Sequence, residues 1–150
     1  MSGKILRLPI ILLLAFEFLL GCTTSGESPE IDLTFDGEKC TARGPDLIDV
    51  GDLIVDLDKQ ADGVVVVYLY RLDQGKTWSD LVDHYGPAGT FALPPEWVKG
   101  MSGRDVGGDK YDRQYDLDPG IYGIVCMFMG PETNGTWAAT SIEVRQASGY

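Results

Sequence analysis

Few side chains here have the types and spacing for chemistry. The chain has one histidine, His84, and three cysteines, Cys22, Cys40 and Cys126. Cys126, His84 and the methionines Met127 and Met129 are soft ligands of the kind that suits Cu(I). On a strand, however, Met127 and Met129 point to the face opposite Cys126. Methionines in that setting are ordinary core filler. His84 falls near the end of a predicted helix, where the dipole favours a cation. No metal site is therefore expected, although Cys126, His84 and Met129 are the residues that one would draw on.

Carboxylates are more plentiful. Asp56, Asp58 and Asp62 precede Gly63, as in a calcium loop, but the spacing fails. An EF-hand needs a glutamate at its twelfth position, and twelve from Asp56 is Val67. A second acidic group, Asp105, Asp109, Asp112, Asp116 and Asp118, reads as solvated turns and strand faces. There is no Gly-x-Ser-x-Gly, no His-Glu-x-x-His and no glycine-rich phosphate loop ahead of a helix. A Ser-His-Asp triad would have to use His84, and nothing else points to it. The sequence predicts no enzyme. What remains is binding. Trp78, Tyr85, Phe91 and Trp97 gather around a predicted helix and a long loop, where aromatics can form a sugar-stacking platform or a protein anchor. Trp97, in the Gly/Pro-rich stretch, is the one expected to be exposed. A buried Trp97 removes the platform, and an exposed one beside Phe91 supports it.

The elements that must position these residues read as short strands between Gly, Pro and Asp. Ile31–Phe35 alternates with period two, and so does Asp52–Asp58, with Leu53, Val55 and Leu57 on one face. Gly63–Leu72 is a β-branched and aromatic run that predicts a strand covered on both faces. Tyr111–Leu117, Ile121–Met129 and Thr136–Arg145 complete the set. Thr77-Trp78-Ser79-Asp80 has the form of a capping box, and Gly86-Pro87 is a stop signal. They bound a helix of about two turns, expected over one end or edge of a sandwich. Gly86–Lys110 reads as a long loop with a helical turn at Pro95–Val98. Together these elements predict an all-β, Greek-key β-sandwich of immunoglobulin-like or related type with one short helix.

The N-terminus reads as an address. Lys4 and Arg7 precede an apolar run, Leu8–Leu20, broken by Glu17, which is the layout of a signal peptide. Its end, Leu19-Leu20-Gly21-Cys22, resembles the lipobox of bacterial lipoproteins. That resemblance implies cleavage before Cys22 and acylation of its thiol. Several buried acyl chains then anchor stably, at about 0.8 kcal/mol per CH₂. The implied location is the cell envelope, outside the cytoplasm: the outer membrane or the outer face of the cell membrane. The polar, Pro-containing stretch up to Glu30 reads as a tether. The implied organisation is signal 1–21, tether 22–30, sandwich 31–146 and tail 147–150. With Cys22 lipidated in an oxidising compartment, the remaining pair, Cys40 and Cys126, is expected to form a disulfide.

Leu117-Asp118-Pro119-Gly120-Ile121-Tyr122 has the pattern of a tyrosine corner. Extended to Cys126, it resembles the penultimate strand of cupredoxins, in which a Pro-Gly-x-Tyr turn leads to a copper-ligating cysteine. The chain is also similar to uncharacterised cupredoxin-like lipoproteins carrying Phe-Asp-Gly-x-x-Cys-Thr, here Phe35–Thr41, and a Gly-Lys-Thr-Trp helix start. The family's copper activity does not carry over. A blue-copper site uses two histidines, a cysteine and a weak axial methionine, and here Cys126 is followed by Met127-Phe128-Met129-Gly130-Pro131-Glu132, with no histidine.

Length and charge set the outer bounds. The 150 residues are 44% hydrophobic and 23% charged, the profile of one globular domain. The net charge of −11 excludes the basic face that nucleic acid requires. Without Lys4, Arg7 and Glu17 the mature part keeps 10 basic and 22 acidic side chains. The expectation is a membrane-tethered, non-catalytic binding or structural module. A carbohydrate or small-ligand module and an atypical copper-binding relative are the alternatives. Its partners would be the membrane, through the lipid, and an envelope protein or glycan. No cofactor beyond that lipid is expected.

Overall fold

The computed structural model describes residues 27–86, 92–106, 110–131 and 134–147, with backbone alone at 100–106 and 110–111. These residues form two sheets and one short helix, an all-β sandwich. The four-stranded sheet runs β2 (Cys40–Arg43), β1 (Glu30–Phe35), β4 (Gly51–Lys59), β7 (Lys110–Leu117). The five-stranded sheet runs β3 (Leu47–Asp49), β9 (Asn134–Arg145), β8 (Gly120–Met129), β5 (Val64–Leu72), β6 (Val98–Val106). Strand β1 lies parallel to β4 and β3 parallel to β9, while the other pairs are antiparallel.

Side-chain pattern decides which face each strand buries. In β4, Leu53, Val55 and Leu57 are buried and the residues between them are not. Such alternation fits a sheet with one dry face. In β8 every residue from Tyr122 to Phe128 is buried, so this strand is covered on both sides. The core between the sheets includes Phe35, Leu57, Ile124 and Trp137. Phe35 packs on Phe128 at 4.5 Å and on Trp137 at 5.3 Å. At the turn into β8, the Tyr122 hydroxyl donates to the Asp118 carbonyl at 3.0 Å, completing the corner that the sequence predicts.

Helix α1 (Trp78–Tyr85) begins with the expected capping box: the Asp80 amide donates to Thr77 Oγ1, and the Thr77 amide donates to Asp80 Oδ2. The Thr77 hydroxyl, which donates to Asp80 Oδ2 at 2.8 Å, and then the Thr77 amide hold the Asp80 carboxyl below its ordinary value. The helix does not sit over an end or edge of the sandwich. It lies on the outer face of the five-stranded sheet, where Leu81 meets Gly123. A Cβ at Gly123 would overlap Leu81 Cδ2 and force that side chain to shift, so glycine allows the close approach. Nor is Gly86–Lys110 a loop throughout. Its second half is edge strand β6, and Pro95–Val98 is a single turn closed by the Val98 amide on the Pro95 carbonyl.

Two ends can be distinguished. The entry end is where β1 starts: the Ile54 amide donates to the Pro29 carbonyl, the Val50 amide donates to the Arg145 carbonyl, and Gly51 faces Leu117. The far end holds the Asp36–Lys39 hairpin and the turn at Gly63, whose carbonyl accepts Lys59 Nζ at 2.7 Å. Among the described strands β7 is an edge of the four-stranded sheet; its Arg113 shares the inward face with Val55 and lies 4.9 Å from the ring centre of Tyr115.

Candidate functional site

Cys40 and Cys126 form a disulfide, with Cα atoms 6.2 Å apart. Cys40 opens β2 opposite Phe35, and Cys126 lies mid-β8 between Val67 and Trp137. Both are buried, Cys126 completely. The bond joins the outermost strand of one sheet to the middle strand of the other. Closing a separation of 86 residues stabilises by about 4 kcal/mol through the unfolded chain. It also removes Cys126 as a thiolate.

The soft ligands are not brought together. Cys126 faces the inter-sheet core, Met129 is exposed at the far end of β8, and His84 is exposed on the outer helix. Among the described residues, His84 Nε2 bonds to the Leu93 carbonyl at 2.8 Å. A carbonyl only accepts, so Nε2 carries the proton.

The aromatic group is mostly packed. Tyr85 is 2% exposed and belongs with Tyr70, Leu72, Leu81 and Val125 to a second core under the helix. Trp78 is half-buried against the same core, with its ring near Gly123. Trp97 is also half-buried there. Lys76 Nζ lies 5.1 Å from the centre of the Trp97 ring, and His84 stands edge-on at 6.5 Å. Segment 92–99 is thus strapped down by three ties: His84 to Leu93, Lys76 to Trp97, and Lys99 Nζ to Asp73 Oδ1 at 2.6 Å. The Lys99 contact lowers the Asp73 pKa. Phe91, Cys22, the signal 1–21 and tail residues 148–150 lie outside the described residues. Beneath the helix, the Tyr70 and Tyr85 hydroxyls lie close together and neither completes a well-formed hydrogen bond. Burial pushes both phenols above the ordinary value of 10.0, Tyr70 well above it.

The acidic residues gather on the outer face of the four-stranded sheet. Asp32 faces Asp56 across the parallel pair, and Asp56 faces Asp112 across the antiparallel one. With Glu30, the carboxylates of Asp32 and Asp56 have oxygens within 4.8 Å of one another. Oxygens so placed suit a hard cation. The three residues stand on an open face, and among the described residues no buried polar group points at them. We therefore describe them as part of an acidic face. Asp58 belongs to that face and accepts Gln60 Nε2 at 2.9 Å, while Asp62 is apart in a turn. The sequence gives no sign of the Glu30–Asp32–Asp56 group, because β1 and β4 are joined only by their parallel register.

At the entry end, Glu27–Pro29 and Leu47–Asp52 border a shallow open groove. Among the described residues no helix is long and apolar enough to cross a membrane. Compared with protein-family models and with curated proteins, the sequence matches none.

Proposed function

We propose that the chain is a lipid-anchored, non-catalytic module of a bacterial cell envelope, cut before Cys22 and held through that residue. Its role is binding or structural. The observation that carries this reading is the disulfide. Such bonds persist in oxidising compartments, and this one uses two of the three cysteines. The cysteine left over is Cys22, which follows Leu19-Leu20-Gly21 at the end of the apolar run. By the same count no thiolate remains in the fold for copper or for nucleophilic catalysis.

The partners in this reading are the membrane, through the lipid, and a protein of the envelope. A protein is favoured over a glycan because Tyr85 is buried, Trp78 is packed, and the Trp97 ring is attended by Lys76. The cupredoxin likeness of Leu117–Cys126 belongs to the same reading and is supported by the Tyr122–Asp118 bond. It concerns the scaffold and brings no copper chemistry.

Mass spectrometry and fractionation of cells producing the chain test the anchor. The wild type is expected in the membrane fraction, starting at Cys22 and heavier by its acyl chains. Cys22→Ser is expected in the soluble fraction with its disulfide intact. An unacylated wild type in the soluble fraction would overturn the proposal.

A further inference from the structure

We infer that the entry end of the sandwich is its membrane-facing surface, that the far end points away, and that the lipid surface it fits is zwitterionic. This inference rests on the anchoring reading above and adds an orientation and a lipid preference to it. The argument is one of lengths. The chain is fixed on the fold from Pro29, whose carbonyl accepts the Ile54 amide at 2.9 Å. From Cys22 to Pro29 the covalent chain spans at most about 25 Å in any conformation. The sandwich is longer than that leash. The 10 residues of β8 run its whole length, about 33 Å at strand rise. An inverted posture, with the Asp36–Lys39 hairpin on the bilayer, would lift Pro29 beyond the reach of an anchored Cys22.

Charge selects the lipid. Glu27, Glu30, Asp46, Asp49 and Asp52 are exposed at the entry end. Of the cations nearby, Arg71 donates to the Pro119 carbonyl and faces Asp118, Arg145 pairs with Glu143, and Arg43 of β2 is exposed opposite Asp32, one cation against these five carboxylates. This end therefore meets the bilayer with an excess of negative charge. Anionic headgroups repel it within a Debye length, about 8 Å at physiological salt, and zwitterionic ones do not.

The test couples the chain from Cys22 onward to nanodiscs through a maleimide lipid. Both described cores lie between Ile31 and Val144, so that piece contains the whole described fold. Because Cys40 and Cys126 are joined, Cys22 is its one free thiol. Gadolinium-chelating headgroups then broaden the amide resonances nearest the bilayer. On phosphatidylcholine we expect loss of the Asp49, Val50 and Gly51 signals, with Gly37 and Ala61 retained. Equal loss at both ends would overturn the orientation. On phosphatidylglycerol at low salt the entry-end loss is expected to weaken and to return at high salt; a stronger loss there would overturn the lipid assignment. Acyl analysis of the cell-made protein tests anchoring separately. Lack of acylation with upright posture on the nanodisc would sink the anchoring reading alone.

Discussion

The two outer faces of this sandwich solve opposite problems. The face of the four-stranded sheet is bare and acidic, built on alternating strands such as Asp52–Asp58. The face of the five-stranded sheet is apolar and covered, built on runs such as Val64–Leu72 and Tyr122–Phe128. Helix α1 and segment 92–99 cover part of it and enclose a second core of Tyr70, Tyr85, Leu81 and Val125. Period two means one dry face, and continuous apolarity means two. The same chain therefore buries aromatics on one side while leaving carboxylates in register on the other.

The largest test of that contrast places one charge on each face. Val125 is fully buried beneath the helix, and Ile54 is half-exposed on the acidic sheet. Val125→Asp is expected to cost about 5 kcal/mol in urea unfolding, because a buried charge has no partner there. Ile54→Asp is expected to cost no more than about 1 kcal/mol. Similar losses would mean that the two faces are not distinct. Next comes the bond that ties one sheet to the other. The Cys40→Ala/Cys126→Ala double variant is expected to lose about 4 kcal/mol, read as a lower denaturant midpoint with a steeper slope, because the unbridged unfolded chain is less compact.

The covered face also has an alkaline signature. Tyr70 and Tyr85 have raised folded-state pKa values, so their neutral forms stabilise the fold below the free-tyrosine value of 10.0. That contribution is lost as pH climbs past 10.0, by about 1.4 kcal/mol per pH unit for Tyr70, whose shift is the larger. Tyr70→Phe should flatten the decline above that pH while changing stability little at neutrality. The smallest effect belongs to the bare face. Asp56 opposes Asp32 and Asp112, so Asp56→Asn is expected to add about 0.5 kcal/mol at low salt and almost nothing at high salt.

Much of this contrast is legible in the sequence, because it is written in local periodicity. The alternation of Leu53, Val55 and Leu57, the valine run of β5, the Thr77–Asp80 box and the Pro119-Gly120-Ile121-Tyr122 corner each specify their structure within a few residues. What escapes is set by distant partners. Strands β2 and β3 have 4 and 3 residues, too few to show a period. Strand β6, Val-Lys-Gly-Met-Ser-Gly-Arg-Asp-Val, has weak strand propensity and pairs along the strong β5. The helix sits on a face rather than an edge because Gly123 leaves a hollow there, and a lone glycine in a strand does not announce what fills it. The Glu30, Asp32 and Asp56 group escapes for a similar reason, since it exists only through a parallel pairing that no local signal encodes. Of the aromatics, Trp97 reads as exposed in a Gly/Pro stretch, yet the Lys76 and His84 that border its ring come from the helix region.

Arg113 is an inward-facing charge on an edge strand, stacked over Tyr115. A second sheet sliding against β7 to extend the ladder would have to bury that guanidinium, which is the device by which natural edge strands refuse to polymerise. Copies of this protein crowded side by side would therefore slip past one another along this flank rather than zip into a common sheet, and the flank stays open however dense the population becomes.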